Sequence, residues 1–231
     1  MDKAKIESIK RHDLLIISRA GRNQIRQTLA ERLPATEVYL ADILVTELDN
    51  HRTVPLIARR ADEYAGDKIP CGLVHPELVA GRRWRQACFV EAEQLEGLLT
   101  PYQIWQLPIG IRNKALQTLA ELKSIAGNMQ LTVGLLGSLA LEAYTGLSYS
   151  NERSDIDLII KAAAAEQIQE FLVRATELAA RQQIKIDLEI ELTNGYGVKA
   201  PELFMDTKTI LAKGKYDVVL LKRADVLSCL I

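Results

Sequence analysis

The chain has 231 residues, 48% of them hydrophobic and 26% charged, with a formal net charge of −1. That much apolar material excludes a disordered chain and suits two domains better than one. The near-neutral balance excludes a global electrostatic drive toward nucleic acid or membrane, so any basic recognition surface has to be local.

In chain order, residues 13–18 read as a short buried strand and 22–33 as an amphipathic helix stopped by Pro34. Strand-like runs follow at 38–48, 54–59 and 69–74, separated by Asp49-Asn50-His51 and by Ala65-Gly66-Asp67. Residues 83–99 then read as a helix, and Thr100-Pro101 suits the start of another. A break at Leu107-Pro108-Ile109-Gly110 completes a boundary region, which divides the chain into 1–105 and 106–231. The second half alternates more regularly: helix 112–126, strand 131–136, helix 138–144, strand 155–161, long helix 164–182 and strand 184–192. In that last strand Ile184, Ile186, Leu188, Ile190 and Leu192 share one face, and Lys185, Asp187, Glu189 and Glu191 the other. Asn194-Gly195 signals a turn, and 209–211 with 218–221 forms a hairpin around Lys213-Gly214-Lys215.

The residues from Met1 to Lys5 lead into no apolar signal core, and no run of about eighteen apolar residues occurs, so a soluble, unexported protein is expected. Cys71, Cys88 and Cys229 form no CxxC pair and no zinc grouping with His12, His51 or His75, which fits reduced thiols in cytoplasm.

The chemistry concentrates between residues 137 and 187. Asp155 and Asp157 alternate along an apolar strand, so both carboxylates point to one face, and two anions held that close repel unless a cation neutralises them. Mg²⁺ suits such a pair: it prefers oxygen ligands and uses one or two carboxylates, with substrate phosphates completing its shell. Gly137-Ser138, opening a helix after a strand, presents free backbone N–H groups and a hydroxyl, for which phosphate is the natural guest. If strand 184–192 pairs beside strand 155–161, Asp187 joins the other two acids. Metals about 3.5 to 4 Å apart could then support an in-line displacement. Glu189 lies on the same strand face, and a register shift of two would exchange its role with that of Asp187.

The combination of Gly137-Ser138, Ser154-Asp155-Ile156-Asp157-Leu158 and a later strand carboxylate resembles the nucleotidyltransferase superfamily that includes polymerase-β-like enzymes. Within it the whole chain resembles the malonate decarboxylase holo-acyl-carrier-protein synthase, or phosphoribosyl-dephospho-CoA transferase, family. The likeness is carried by Arg11-His12-Asp13-Leu14-Leu15, by residues 54–60, by residues 72–85 with their arginines, and by 137–158. The resemblance implies a smaller N-terminal α+β domain that recognises substrate or carrier, and a C-terminal polymerase-β-like nucleotidyltransferase domain with a mixed sheet. It implies transfer of the 2'-(5''-phosphoribosyl)-3'-dephospho-CoA group from 2'-(5''-triphosphoribosyl)-3'-dephospho-CoA to a serine of the apo acyl carrier protein of malonate decarboxylase, with release of pyrophosphate. Gly137 and Ser138 would hold the triphosphate, Asp155 and Asp157 would bind Mg²⁺, and Asp187 would be the third carboxylate. A general Mg²⁺-dependent nucleotidyltransferase, moving a nucleotide onto a small molecule, RNA or protein, is the alternative; an inactive binding module on the same fold is the other.

Outside this core, Arg83 and Arg85 in Arg82-Arg83-Trp84-Arg85 serve either substrate phosphates or an acidic carrier surface, or else simply face water. His12 before an apolar strand is either a phosphate-orienting group or a structural residue. Lys199, Lys208 and Lys213 are candidates to neutralise leaving pyrophosphate, with nothing in their spacing to single one out. Trp84 and Trp105 read as packing residues.

Overall fold

A short helix α1 (Lys3–Ser8) precedes β1 (Leu14–Ile17), whose Leu14, Leu15 and Ile17 are buried. This computed structural model describes residues 3–60 and 67–230, so the Ala65-Gly66 part of the expected turn lies outside the described residues. Two units are present: Met1–Thr100 with Tyr144–Tyr149, and Pro101–Ala143 with Ser150–Ile231.

In the first unit, Ser18 caps α2 (Arg19–Ala30) by accepting from the Gly21 backbone N–H at 3.1 Å. Gly21, Ile25 and Leu29 recur four apart and are buried, giving the helix one core-facing stripe. Strands β2 (Leu56–Ala58), β3 (Ile69–Val79), β4 (Arg82–Val90) and β5 (Leu95–Leu99) complete an antiparallel sheet of order β4-β3-β2-β1-β5 among the described residues. Leu15, Leu29, Leu40, Leu56, Leu73 and Val90 belong to its core, each burial worth about 1.5–3 kcal/mol. Cys71 and Cys88 are free thiols facing each other in the β3–β4 register, sulfurs 3.4 Å apart.

Two expected elements are corrected here. The strand expected at 38–48 is a 3-10 helix, Val38–Leu44. Leu40, Ala41, Ile43 and Leu44 are its buried residues, a spacing of three that matches a 3-10 turn, whereas the apolar run had suggested alternation. The helix expected at 83–99 is strand β4, the short 3-10 segment Ala92–Gln94, and strand β5. Trp84, Cys88 and Val90 are buried at even spacing against β3. Ala80 and Gly81 join the two strands, both at positive φ (+49° and +75°), as a two-residue hairpin turn demands.

The first unit takes in a segment distant in sequence. Asn50 Nδ2 donates to the carbonyls of Tyr144 and Thr145 at 3.3 Å, and the fully buried Tyr149 donates its hydroxyl to Val74 O at 3.0 Å. Leu147 packs on the core.

The second unit begins with α3 (Pro101–Trp105) and α4 (Lys114–Asn128), the latter capped by Asn113, which accepts from Leu116 N at 3.0 Å. There follow β6 (Val133–Leu135), α5 (Gly137–Thr145), β7 (Ile156–Lys161), α6 (Ala165–Gln182), β8 (Ile186–Glu191), β9 (Gly197–Lys199), α7 (Ala200–Leu203), β10 (Thr209–Lys213), β11 (Val218–Lys222) and α8 (Arg223–Ser228). The sheet is mixed, of order β11-β10-β9-β8-β7-β6 among the described residues. Only β7 and β8 pair in parallel there, because α6 carries the chain back along the sheet between them. Helices α4 and α6 pack together, burying Leu116, Leu119, Phe171 and Leu178. Helix α3 lies on the sheet at β6: a Cβ added to Gly134 would stand 2.7 Å from Pro101 Cβ and 2.8 Å from Ile159 Cγ2, so glycine lets the helix and strands close up. The architecture is therefore two-domain α+β with one antiparallel and one mixed sheet, as expected.

Candidate active site

Strand alternation on β7 sends Ile156, Leu158 and Ile160 into the core and Asp157 to the opposite face, with Asp155 two residues before it. The parallel register sets Asp157 beside Asp187 and Ile159 beside Glu189. Adjacent strands lie about 4.8 Å apart, so Asp155, Asp157 and Asp187 share one patch of one face, while Glu189 sits a step further along β8.

Lysines lace this patch. Lys185 Nζ is 3.5 Å from Asp155 and 3.6 Å from Asp187; Lys199 Nζ is 2.9 Å from Asp187 and 3.6 Å from Glu189; Lys213 Nζ is 3.7 Å from Glu189. The electrostatics split the acids. Burial, then Asp187 and Asp155, push the Asp157 carboxyl above its ordinary value. Burial opposes ionisation of Asp187 too, but Lys199 and Lys185 outweigh it and hold that carboxyl low. Among the described residues, no three Asp, Glu, His or Cys side chains are gathered closely enough to enclose a metal as they stand. The donor chemistry nonetheless fits Mg²⁺: a set of hard carboxylate oxygens that now depend on ammonium groups for charge balance.

Gly137 opens α5 at φ +67°, and a Cβ there would overlap the Asp157 carboxylate. The helix start is thus laid directly against the acidic patch, an approach only glycine permits. Ser138 follows in the first turn, half-buried. The register between β6 and β7 is carried to this point by Leu136 N–H donating to Asp157 O at 2.9 Å.

A buried network supports the approach to β7. Glu142, inside α5, receives Arg112 in a two-pronged contact of 2.7 and 2.8 Å and accepts from the Ser150 N–H and hydroxyl at 2.7 Å each. Asn113 Nδ2 donates to Ser150 Oγ at 2.9 Å. Asn151 and Ser154 then close a tight loop, Asn151 N to Ser154 Oγ at 2.9 Å, that delivers Asp155 to the strand. Sequence reading passed over these residues, although an acid enclosed by Leu139, Ala140, Leu141, Ala143 and Tyr144 is itself a signal of a paired buried charge. Lys185 had no assigned role and Lys199 was one of three lysines the sequence could not tell apart; the strand register singles both out.

Of the remaining candidates, Lys208 is exposed in the second unit, and Arg83, Arg85, His12 and Trp84 lie in the first. The Arg83 guanidinium donates to the carbonyls of Pro76 and Tyr149 and lies 5.9 Å from the Tyr149 ring centroid, whereas Arg85 is exposed. His12 adopts φ +74°, its Nε2 3.0 Å from Arg11 Nη2. Trp84 is buried with its indole N–H on Glu37 at 2.8 Å.

No helix among the described residues is long and apolar enough to cross a membrane. No solved structure matches the chain. Residues 10–101 match the N-terminal domain, and residues 103–224 the C-terminal domain, of phosphoribosyl-dephospho-CoA transferase MdcG. A phosphoribosyl-dephospho-CoA transferase of Bradyrhizobium diazoefficiens is 28% identical over 218 residues, covering 94% of this chain and 92% of the relative. Matched in both halves and along nearly its whole length, the chain belongs to the phosphoribosyl-dephospho-CoA transferase family, enzymes that transfer phosphorus-containing groups.

Proposed function

We propose that the protein transfers the 2'-(5''-phosphoribosyl)-3'-dephospho-CoA group from its triphosphoribosyl precursor to a serine of the apo acyl carrier subunit of malonate decarboxylase. The observation that carries this reading is the close approach of Gly137 to Asp157, beside Asp155 and Asp187, in a chain of this family. A helix start and a carboxylate patch in contact provide for both ends of a metal polyphosphate: backbone N–H groups for phosphate oxygens, carboxylates for the cation. Asp155 and Asp157 would hold Mg²⁺, with Asp187 as third carboxylate. The ion would withdraw charge from the polyphosphate and favour departure of pyrophosphate.

The residues of the chain supply the rest. Gly137 and Ser138 orient the phosphates, and the Glu142–Arg112–Ser150 network fixes α5 and the loop before Asp155. Lys185 and Lys199, which here pair with the acids, would lie close enough to the patch to meet phosphate charge. In the transfer itself the serine oxygen bonds to the α-phosphorus as the serine hydroxyl proton passes to solvent, while the bond from that phosphorus to the bridging oxygen breaks and pyrophosphate leaves with the electron pair.

The test is incubation of the protein with apo carrier, triphosphoribosyl-dephospho-CoA and Mg²⁺, followed by intact mass of the carrier. A gain equal to the phosphoribosyl-dephospho-CoA group, lost in Asp155→Ala and Asp157→Ala, is expected. Transfer of a nucleotide from ATP with no such gain would replace this reading with general nucleotidyl transfer.

A further inference from the structure

The face that bears the carboxylates does not end with them. The registers Glu189 to Lys199, Gly197 to Lys213 and Leu211 to Leu220 carry the same side of the sheet outward across β9, β10 and β11. On the two outer strands it presents Thr209, Leu211 and Lys213 beside Lys222, Leu220 and Val218. Leu220 is 68% exposed and Leu211 41%, while Ile210 and Ala212, on the other side of β10, are buried. The hairpin tip adds Tyr216, 64% exposed, with Lys215 Nζ 5.4 Å from its ring centroid.

Charge separates this hairpin from the rest of the molecule. From 208 to 223 there are five basic residues, Lys208, Lys213, Lys215, Lys222 and Arg223, against one acid, Asp217, in a chain whose net charge is −1. An apolar centre with a charged rim is the anatomy of a protein interface, and the rim here calls for an acidic partner.

We infer that the outer face of the β10–β11 hairpin docks the acceptor protein, an acidic carrier whose own apolar surface covers Leu211, Val218 and Leu220. This rests on the transfer reading above, in which the acceptor serine must reach the carboxylates from their own face of the sheet. At the β6 end of that face stands α3, packed against Gly134 and Ile159. At the β11 end, among the described residues, Leu220 and Tyr216 stand exposed, and β10 lies two strand spacings, roughly 10 Å, from Asp187, well within the footprint of a small protein interface. Acceptor recognition is thereby built into the catalytic unit itself, whatever the N-terminal domain adds.

The test compares wild type with Leu220→Asp, Lys222→Glu and, as a control on α6, Val173→Asp, a position 50% exposed. Leu220→Asp is expected to raise KM for apo carrier about tenfold or more, leaving kcat, Tm and calorimetric binding of triphosphoribosyl-dephospho-CoA with Mg²⁺ unchanged. Lys222→Glu should raise the same KM more at low salt than at high salt. Val173→Asp should change none of these. An unchanged carrier KM in Leu220→Asp would overturn the docking assignment while leaving the transfer reading intact. So would a rise in the precursor's KM instead, or a wild-type dimer in sedimentation that Leu220→Asp dissociates. A wild-type protein inert toward apo carrier would overturn the transfer reading, and the docking assignment with it.

Discussion

Replacing Gly137 with alanine puts a methyl group where Asp157 keeps its carboxylate. The backbone there stands at φ +67°, a region that costs an L side chain about 1–2 kcal/mol. The added carbon also overlaps the Asp157 carboxylate, which must retreat by roughly 1 Å to regain ordinary van der Waals separation. Its retreat is opposed by Asp155 and Asp187, which already raise its proton affinity. A misplacement of about 1 Å at a reacting centre costs on the order of 100-fold in rate, so transfer should fall by at least that factor. The backbone cost alone should lower Tm by about 2–8 °C in a chain of this size. A double-mutant cycle separates the two contributions: in the Asp157→Ala background the overlap is gone, and Gly137→Ala should cost about 0.5–3 kcal/mol less than in wild type. Urea unfolding of the four proteins measures this without any appeal to activity. An identical cost in both backgrounds, or a wild-type transfer rate for Gly137→Ala, would refute the claim that the glycine makes room for the carboxylate.

Other substitutions probe the charges. The fold raises the proton affinity of Asp157, so the native state binds more protons than the unfolded chain as pH rises past the ordinary carboxylate value, and stability falls across that window. Asp157→Asn should therefore raise Tm at pH 7, with the gain shrinking toward pH 4; no gain at pH 7 would contradict the cost assigned to a carboxylate that is buried and repelled by Asp187 and Asp155. Arg112→Ala strands the buried Glu142 and should cost about 3 kcal/mol in urea unfolding, with Arg112→Lys recovering only part because an ammonium lacks the two-pronged fork. Arg83→Ala should cost about 1.5–3 kcal/mol through its lost contacts to Pro76 and Tyr149, whereas Arg85→Glu should stay within about 0.5 kcal/mol of wild type; the reverse order would refute the structural role of Arg83.

The second unit was readable in sequence because its elements obey simple periods. The strict alternation of β8 and the Asp155–Asp157 spacing fixed which face each acid takes, and parallel pairing then set Asp187 beside Asp157. The lysine partners were not readable, since which lysine meets which acid depends on the register between strands, a property of no single segment. The first unit misled where a local pattern admitted two readings. Residues 82–90 carry arginines and a glutamine compatible with a helix, and only their long pairing with β3 selects the strand. In Val38–Leu44 the apolar run is too dense for its period to be told, and the burial of both Leu40–Ala41 and Ile43–Leu44 decides for a 3-10 turn.

That the first unit includes Tyr144–Tyr149 bears on the order in which the polypeptide acquires its structure. A ribosome that has released residues 1–100 has not yet made Leu147, which packs on that unit's core, or Tyr149, whose hydroxyl meets Val74. Roughly fifty more residues, a few seconds of synthesis at about 5–20 residues per second, must emerge before the early half can finish. A gene cut at residue 100 should thus yield a sticky, protease-sensitive fragment, and adding back a peptide spanning 144–149 should be the cheapest way to quieten it.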